Sequence, residues 1–251
     1  MNTQLILTCE HGVDSIPEAW QACFTNWQEL LNSHRGIDFG AQAISRYLQN
    51  QLQVPLFEAH ASRLLIDCNR SLDHAQCFSE ATMELPLTEK QAIIDQFYTP
   101  YRQTVFEAMR KIIQARQQVL HLSIHSFTPI MAGQIRTAEI GLLYDPKRPG
   151  EKSFACQWQK LLCQQAPQYR IRRNYPYQGA SDGFTTWLRK QFTPESYLGI
   201  EVESNQALTK DPNQLAILQT LFEKTLKEVQ RSHIQNEART VPSPAGGRGL
   251  G

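Results

Sequence analysis

A chain of 251 residues with 41% hydrophobic and 20% charged residues has the length and balance of an ordinary globular protein built on one large core or two small ones. Lys and Arg number 25 against 24 Asp and Glu, and a formal net charge of +1 excludes an electrostatic footprint for nucleic acid or for an anionic membrane surface. Six scattered cysteines without a CxxC pair, no apolar run of about 18 residues and no basic segment ahead of the short apolar run at Leu5–Cys9 predict a cytoplasmic protein with reduced thiols, without a signal peptide or transmembrane helix.

The first predicted strand is Leu5–Cys9, and it ends in Glu10-His11-Gly12-Val13-Asp14. A histidine and a carboxylate three apart, on a loop that bends at Gly12, can both reach one cation; the plainer alternative is a polar turn with Asp14 or Ser15 capping a helix. A helix follows over about Gly40 to Gln51, with Ile44, Tyr47 and Leu48 on one side. Next come an apolar run at Val54–Glu58 and a further strand, Leu64–Asp67, inside Ser62-Arg63-Leu64-Leu65-Ile66-Asp67-Cys68-Asn69-Arg70. That segment brings two arginines close together. Arginine suits a planar carboxylate, although Asp67 can equally form a structural ion pair with Arg63 or Arg70. Cys68 reads as a small core residue within the strand.

Thr88-x-x-Gln91 predicts a capping box opening a long amphipathic helix through Ile113, kinked or split at Pro100. The strand Val119–Ile124 ends at His125-Ser126-Phe127-Thr128-Pro129. Its alternation sets His121, Ser123 and His125 on one face and Leu120, Leu122 and Ile124 on the other. His121, deeper in the strand, reads as a hydrogen-bonded core histidine, and His125 as able to face a cleft.

Ile140–Tyr144 is a further strand, about Glu151 to Gln164 a helix, and Asn174-Tyr175-Pro176-Tyr177-Gln178-Gly179 a loop, either a simple turn or an aromatic lip over a pocket. In the strand Tyr197–Glu203 the carboxylates Glu201 and Glu203 share a face. Burying both demands a nearby cation, whereas a solvated edge strand demands none. Asp211-Pro212 caps a last helix presenting Leu215, Leu218, Phe222, Leu226 and Val229. Near-continuous apolar strands with helices between them predict a single α/β domain over residues 1–233, its sheet covered on both faces, and the Pro- and Gly-rich residues 234–251 a disordered tail. In such folds ligands bind outside the carboxyl ends of the strands, and three such boundaries carry His11 with Asp14, His125, and Glu201 with Glu203. No GxSxG elbow or Walker loop is present, and no cysteine has an obvious histidine partner.

Seven segments in order resemble the N-formylglutamate amidohydrolase family: Thr8-Cys9-Glu10-His11-Gly12 with Ile16-Pro17, Asp38-Phe39-Gly40-Ala41, Ser62 to Arg70, His125 to Pro129, Glu139 to Asp145, Asn174 to Tyr177, and Ile200-Glu201-Val202-Glu203. The resemblance covers about residues 5 to 205. Each motif is weak singly, but their order is hard to produce by chance. The family is distantly similar to zinc carboxypeptidases and aspartoacylases, which implies a three-layer α/β/α fold with a mixed, mostly parallel sheet.

The resemblance further implies one zinc per chain held by His11, Asp14 and His125, with Asp14 standing where the wider superfamily has Glu. It implies Glu201, rather than Glu203, as the general base, Arg63 as the group that polarises the scissile carbonyl, and Asn69 and Arg70 as the grip on the substrate carboxylate. Arg136 is a candidate for a second carboxylate of a glutamate substrate, or a plain loop cation, and Tyr177 a candidate substrate contact. The expected activity is hydrolysis of an N-acyl amino acid such as N-formyl-L-glutamate, by a monomer or small homo-oligomer. The alternatives are a zinc carboxypeptidase or deacylase of another substrate, and a carboxylate-binding relative without catalysis.

Overall fold

The computed structural model describes the backbone of residues 2–240 and the side chains of residues 2–231. In chain order the strands are β1 (Thr3–Cys9), β2 (Leu56–Glu58), β3 (Gln118–Phe127), β4 (Ile130–Met131), β5 (Gln134–Ile135), β6 (Ile140–Leu143), β7 (Ile171–Arg173) and β8 (Tyr197–Asn205). The helices are α1 (Gln28–Leu31), α2 (Ala41–Leu52), α3 (Leu87–Ile93), α4 (Thr99–Gln114), α5 (Pro149–Gln165), α6 (Phe184–Gln191), α7 (Gln206–Thr209) and α8 (Pro212–Thr240), with a 3-10 turn at Glu18–Phe24. None of them is long and apolar enough to cross a membrane.

Six strands form one sheet in the order β2-β1-β3-β8-β6-β7, and β4 and β5 make a separate two-stranded hairpin. Strands β2, β1, β3 and β8 run parallel; β6 runs antiparallel to β8, and β7 parallel to β6, so the sheet is mixed. Helices α2, α5 and α8 cover one face, over Leu5, Leu7, Leu120, Leu122, Ile124, Ile200 and Val202. Helices α3, α4 and α6 and the turns around Leu64–Cys77 cover the other, over Ile6, Val119 and Tyr197. The architecture is the expected three-layer α/β/α.

The second face changes character along the strands. Ile6, Val119 and Tyr197 lie at the amino ends, while Thr8, His121, Ser123, His125, Glu201 and Glu203 follow at alternate positions toward the carboxyl ends. Covering helices meet the apolar half, and the polar half is left to a cleft. His121 takes the core role: its Nδ1 pairs with the Tyr197 hydroxyl at 2.7 Å and its Nε2 with Thr8 Oγ1 at 2.8 Å. Burial pushes its pKa down to about 4, so it stays neutral.

Leu64–Asp67 is not a strand. The buried Leu64, Leu65 and Ile66 lie in successive turns, whose carbonyls at Leu64 and Leu65 are taken by the hydroxyls of Ser79 and Thr82 instead of a sheet neighbour. Side-chain donors satisfy that backbone, so its apolar residues bury themselves without a ladder. Cys68 is buried there too, in the turn rather than in a strand. The capping box also fails to form: the helix starts at Leu87 after Pro86, and Gln91 turns to Asp95 instead. The long helix is not broken at Pro100: it runs from Leu87 to Gln114, and a π-turn at Ile94–Tyr98 just before Pro100 accommodates the ring nitrogen, which donates no hydrogen bond. Asp211 caps α8 through hydrogen bonds from the Asn213 and Gln214 amides. That helix is drawn to Thr240, so its backbone continues through 234–240, and the rest of the expected tail, 241–251, lies outside the described residues.

One buried ion pair ties three elements together. Arg189 of α6 donates to Glu151 of α5 at 3.0 Å and to the Gly199 carbonyl of β8 at 3.0 Å, while Glu151 accepts from the Gly199 and Asp145 amides. Arg189→Ala leaves the Glu151 charge buried and unpaired, and urea titration is expected to show a stability loss of about 3–5 kcal/mol. A loss under about 1 kcal/mol would contradict this account.

Candidate active site

The cleft opens over the polar half of the sheet and encloses about 540 Å³. His11 stands just past β1, His125 near the end of β3, and Glu201 and Glu203 on β8, where Glu203 pairs in register with His125. The carboxylate brought to the histidines is that of Asp38, whose amide donates to the His11 carbonyl at 2.9 Å. The chain then turns at Gly40, with φ +80°, into α2. A side chain there would be strained by that φ and would collide with Thr209 at 2.6 Å.

His11, Asp38 and His125 are all buried, and each offers a ligand atom within 4.8 Å of the others. His125 Nδ1 lies 2.9 Å from Asp38 Oδ2. His11 Nδ1 lies 3.4 Å from the same oxygen but is not aligned to bond to it, and although buried it has no hydrogen-bond partner. The far nitrogens are engaged. His11 Nε2 donates to Asp67 Oδ1 at 2.7 Å, and His125 Nε2 lies 2.8 Å from Ser123 Oγ and 3.3 Å from Glu10 Oε2. Ser123 and Tyr101 hydroxyls in turn donate to Glu10 at 2.7 and 2.9 Å. Carboxylates behind histidines, fixing which nitrogen faces inward, are the usual outer support of a metal site.

The charges are tightly balanced. Burial pushes the carboxyls of Glu10, Asp38 and Asp67 up, but their partners outweigh it: His125 for Glu10, both histidines for Asp38, and Arg63 with His11 for Asp67. All three stay well below the usual carboxylate range. For His125 the opposition runs the other way: burial disfavours its charge, yet hydrogen bonds to Asp38 and Glu10 hold its pKa well above that of a free imidazole. Glu203 is buried with Oε2 unpartnered. Burial pushes its pKa up to about 8, with Asp38 and Glu201 adding to the rise against the opposing charge of His125.

The other expected residues divide. Arg63 donates to Asp67 Oδ2 at 2.8 Å and Asp38 Oδ1 at 3.5 Å. Asn69 faces His125, with Nδ2 3.5 Å from Nε2, and its Oδ1 accepts the Phe184 amide. Arg70 lines the cleft and donates Nη1 to the Asp182 carbonyl at 2.9 Å. Glu201 lines the cleft half-buried and accepts from the Thr185 hydroxyl. Tyr177 forms part of the wall, but Arg136 does not: it sits behind, donating to the Tyr177 hydroxyl at 2.9 Å and to the Met131 sulfur at 2.6 Å.

Asp14 does not join the group. It is exposed, in a separate shallow depression with Ile16, Gln21 and Gln28, because the chain after Gly12 leads away from His125. The sequence reading did not place Asp38 with the two histidines, nor Glu10, Asp67, Ser123 and Thr185 around the site. Asp38 stands 27 residues beyond His11, where no local spacing links them. Its motif, Asp38-Phe39-Gly40-Ala41, was among the segments that carry the family resemblance, but no role was given to Asp38.

Residues 3–209 match the family model described as N-formylglutamate amidohydrolase. Among solved structures, a gene product of Agrobacterium tumefaciens aligns at 26% identity over 92% of both chains with a TM-score of 0.79. N-formylglutamate amidohydrolase from Ralstonia eutropha JMP134 aligns at 18% identity over 96% of both chains with a TM-score of 0.68, a likeness of fold. No curated protein matches the chain at a significant level.

If the cluster is a metal site, Asp38→Ala will abolish divalent metal binding and Asp14→Ala will retain it. Metal content by mass spectrometry on protein purified without chelators checks both. Metal lost from the Asp14 variant and kept by the Asp38 variant would reverse the assignment.

Proposed function

This chain belongs to the N-formylglutamate amidohydrolase family, and from that premise we propose that it hydrolyses the amide bond of an N-acyl amino acid, an N-formyl group first of all, at a zinc held by His11, Asp38 and His125. The observation that carries the reading is the orphaned Nδ1 of His11. It is a buried donor atom with no partner in the protein, facing Asp38 and His125, while both far nitrogens are held by other groups. Two imidazoles and a carboxylate are a donor set of the kind catalytic zinc uses, with room left for water or substrate. Zinc in that set supplies Lewis acidity, which polarises an amide carbonyl and makes water acidic enough to attack near neutral pH.

The protein's own groups do the rest. Glu201 takes a proton from the attacking water as its oxygen adds to the acyl carbon. It passes that proton to the amide nitrogen as the carbon–nitrogen bond breaks, releasing a carboxylic acid and the free amine. Glu201 is favoured over Glu203 because it is half-buried at the cleft with only one oxygen held by the Thr185 hydroxyl, whereas Glu203 is buried. Arg63, beside Asp38, donates to the developing oxyanion, a contribution of roughly 3 kcal/mol for such donors. Asn69 and Arg70 hold the substrate carboxylate, fixing orientation. Asp67 and Glu10 keep the imidazoles turned inward.

Formate release from N-formyl-L-glutamate and other N-formyl amino acids, followed on zinc-loaded protein, tests the activity. Glu201→Gln is expected to lower kcat by about 10²–10⁴ while zinc content stays at wild-type level. A Gln variant as active as wild type would remove Glu201 from the mechanism.

A further inference from the structure

The family's named substrate carries two carboxylates, and the cleft is poorly equipped for the second one. Three arginines line it, Arg35, Arg63 and Arg70, against six acids: Asp38, Asp67, Glu80, Asp182, Glu201 and Glu203. Arg35 donates to both oxygens of Glu80, and Arg63 is shared between Asp67 and Asp38. Arg70 alone among the three makes no carboxylate pair among the described residues, and one substrate carboxylate uses it.

The remaining basic groups nearby are turned to other partners or weakly charged. His34 lines the cleft, but partial burial and the positive charge of Arg35, Lys210, Arg136 and Arg63 lower its pKa. Arg136 is turned to the Tyr177 hydroxyl and the Met131 sulfur, each taking one of its donors, and Lys90 donates to the Met83 carbonyl and sits over the Phe78 ring. Glu203 aside, the five other carboxylates already match the three arginines and a divalent ion, so a second substrate anion meets no net attraction there.

The wall beyond the polar floor is of another kind. Phe78 and Met83 on one segment, and Met131 and Tyr177 on two others, line the same cleft, and Met83, Met131 and Tyr177 remain 45%, 43% and 42% exposed. Apolar surface left bare inside a cleft is surface kept for a ligand. Methionine, unbranched and polarisable, adapts to apolar groups of varied outline. A volume of about 540 Å³ also falls in the range of sites that enclose ligands larger than a formylated small amino acid.

We propose that the substrate is an N-acyl amino acid with an extended apolar side chain, of the size of methionine, leucine or phenylalanine, selected by a wall of Phe78, Met83, Met131 and Tyr177. The proposal rests on the amidohydrolase reading and specifies its substrate. Arg136 is a positioning residue for that wall, tying Met131 of the β4–β5 hairpin to the Tyr177 loop.

The test compares kcat/KM of the zinc-loaded full chain for N-formyl-L-methionine, N-formyl-L-glutamate and N-formyl-L-alanine. Methionine is expected to exceed glutamate by at least about tenfold, the usual effect of matching or mismatching a hydrophobic pocket. Met131→Lys, checked for folding by its thermal melt, is expected to shift the methionine-to-glutamate ratio toward glutamate by at least about tenfold. Glutamate equal to or better than methionine in wild type, or an unchanged ratio in a folded Met131→Lys protein, overturns the assigned wall while leaving the amidohydrolase reading in place. No formate from any of the three, alanine included, overturns that reading and the proposal with it.

Discussion

Three carboxylates, Glu10, Asp38 and Asp67, are buried beside one another, and the polar end of this molecule is arranged around neutralising them. An isolated buried carboxylate is so costly that it protonates instead of staying charged. Here each meets a cation or a hydrogen-bond donor: Arg63 and His11 at Asp67, both imidazoles at Asp38, and His125, Ser123 and Tyr101 around Glu10. Part of the compensating charge is the proton that His125 holds between Asp38 and Glu10, where both ring nitrogens act as donors. A divalent ion held by His11, Asp38 and His125 would take over that task, since a histidine nitrogen that binds a metal carries no hydrogen. In the proposed reading, metal uptake and proton release are therefore one exchange within a fixed charge balance.

The sheet makes this balance possible by separating two jobs along each strand. At their amino ends β1, β3 and β8 place Ile6, Val119 and Tyr197 under the helices. At their carboxyl ends the same face carries serine, histidine and glutamate. The opposite face is apolar along the middle of β3 and β8, from Leu120 to Ile124 and from Leu198 to Val202, so the register of the sheet is held from behind while the front stays free for chemistry. The loops that follow the strands are then fixed by polar contacts, among them Asp38 to the His11 carbonyl and Asp67 to the Asn69 amide.

That two-faced pattern was legible because a strand has period two. The alternation His121-Ser123-His125 against Leu120-Leu122-Ile124, and the pair Glu201 and Glu203, required no knowledge of the rest of the chain. What was not legible is whatever depends on loops meeting in space. Asp14 lies close to His11 in sequence and far from the cluster, while Asp38 lies distant in sequence and within bonding range. The turns of Leu64–Asp67 read as a strand because a short apolar run has no period to tell the two apart, and only the hydroxyls of Ser79 and Thr82, well downstream, decide it. β7 and α6 were overlooked for a related reason: three residues, two of them arginine, and an eight-residue helix give too little pattern to read.

The same electrostatics carries into selectivity. A floor dense in carboxylates suits a cation and one anchoring arginine, and it offers no net attraction to a further anion. Arg63 cannot relieve this freely, because each donor given to a substrate oxygen competes with its bonds to Asp67 and Asp38. The resolution available to such a site is to take a single carboxylate at its edge, place the acyl carbon near the histidines, and let the remainder of the ligand rest on uncharged surface. In this chain that surface is the methionine- and aromatic-lined wall. In the proposed reading, the choice of substrate side chain follows from the charges that hold His11, Asp38 and His125 in place, as much as from the shape of the pocket.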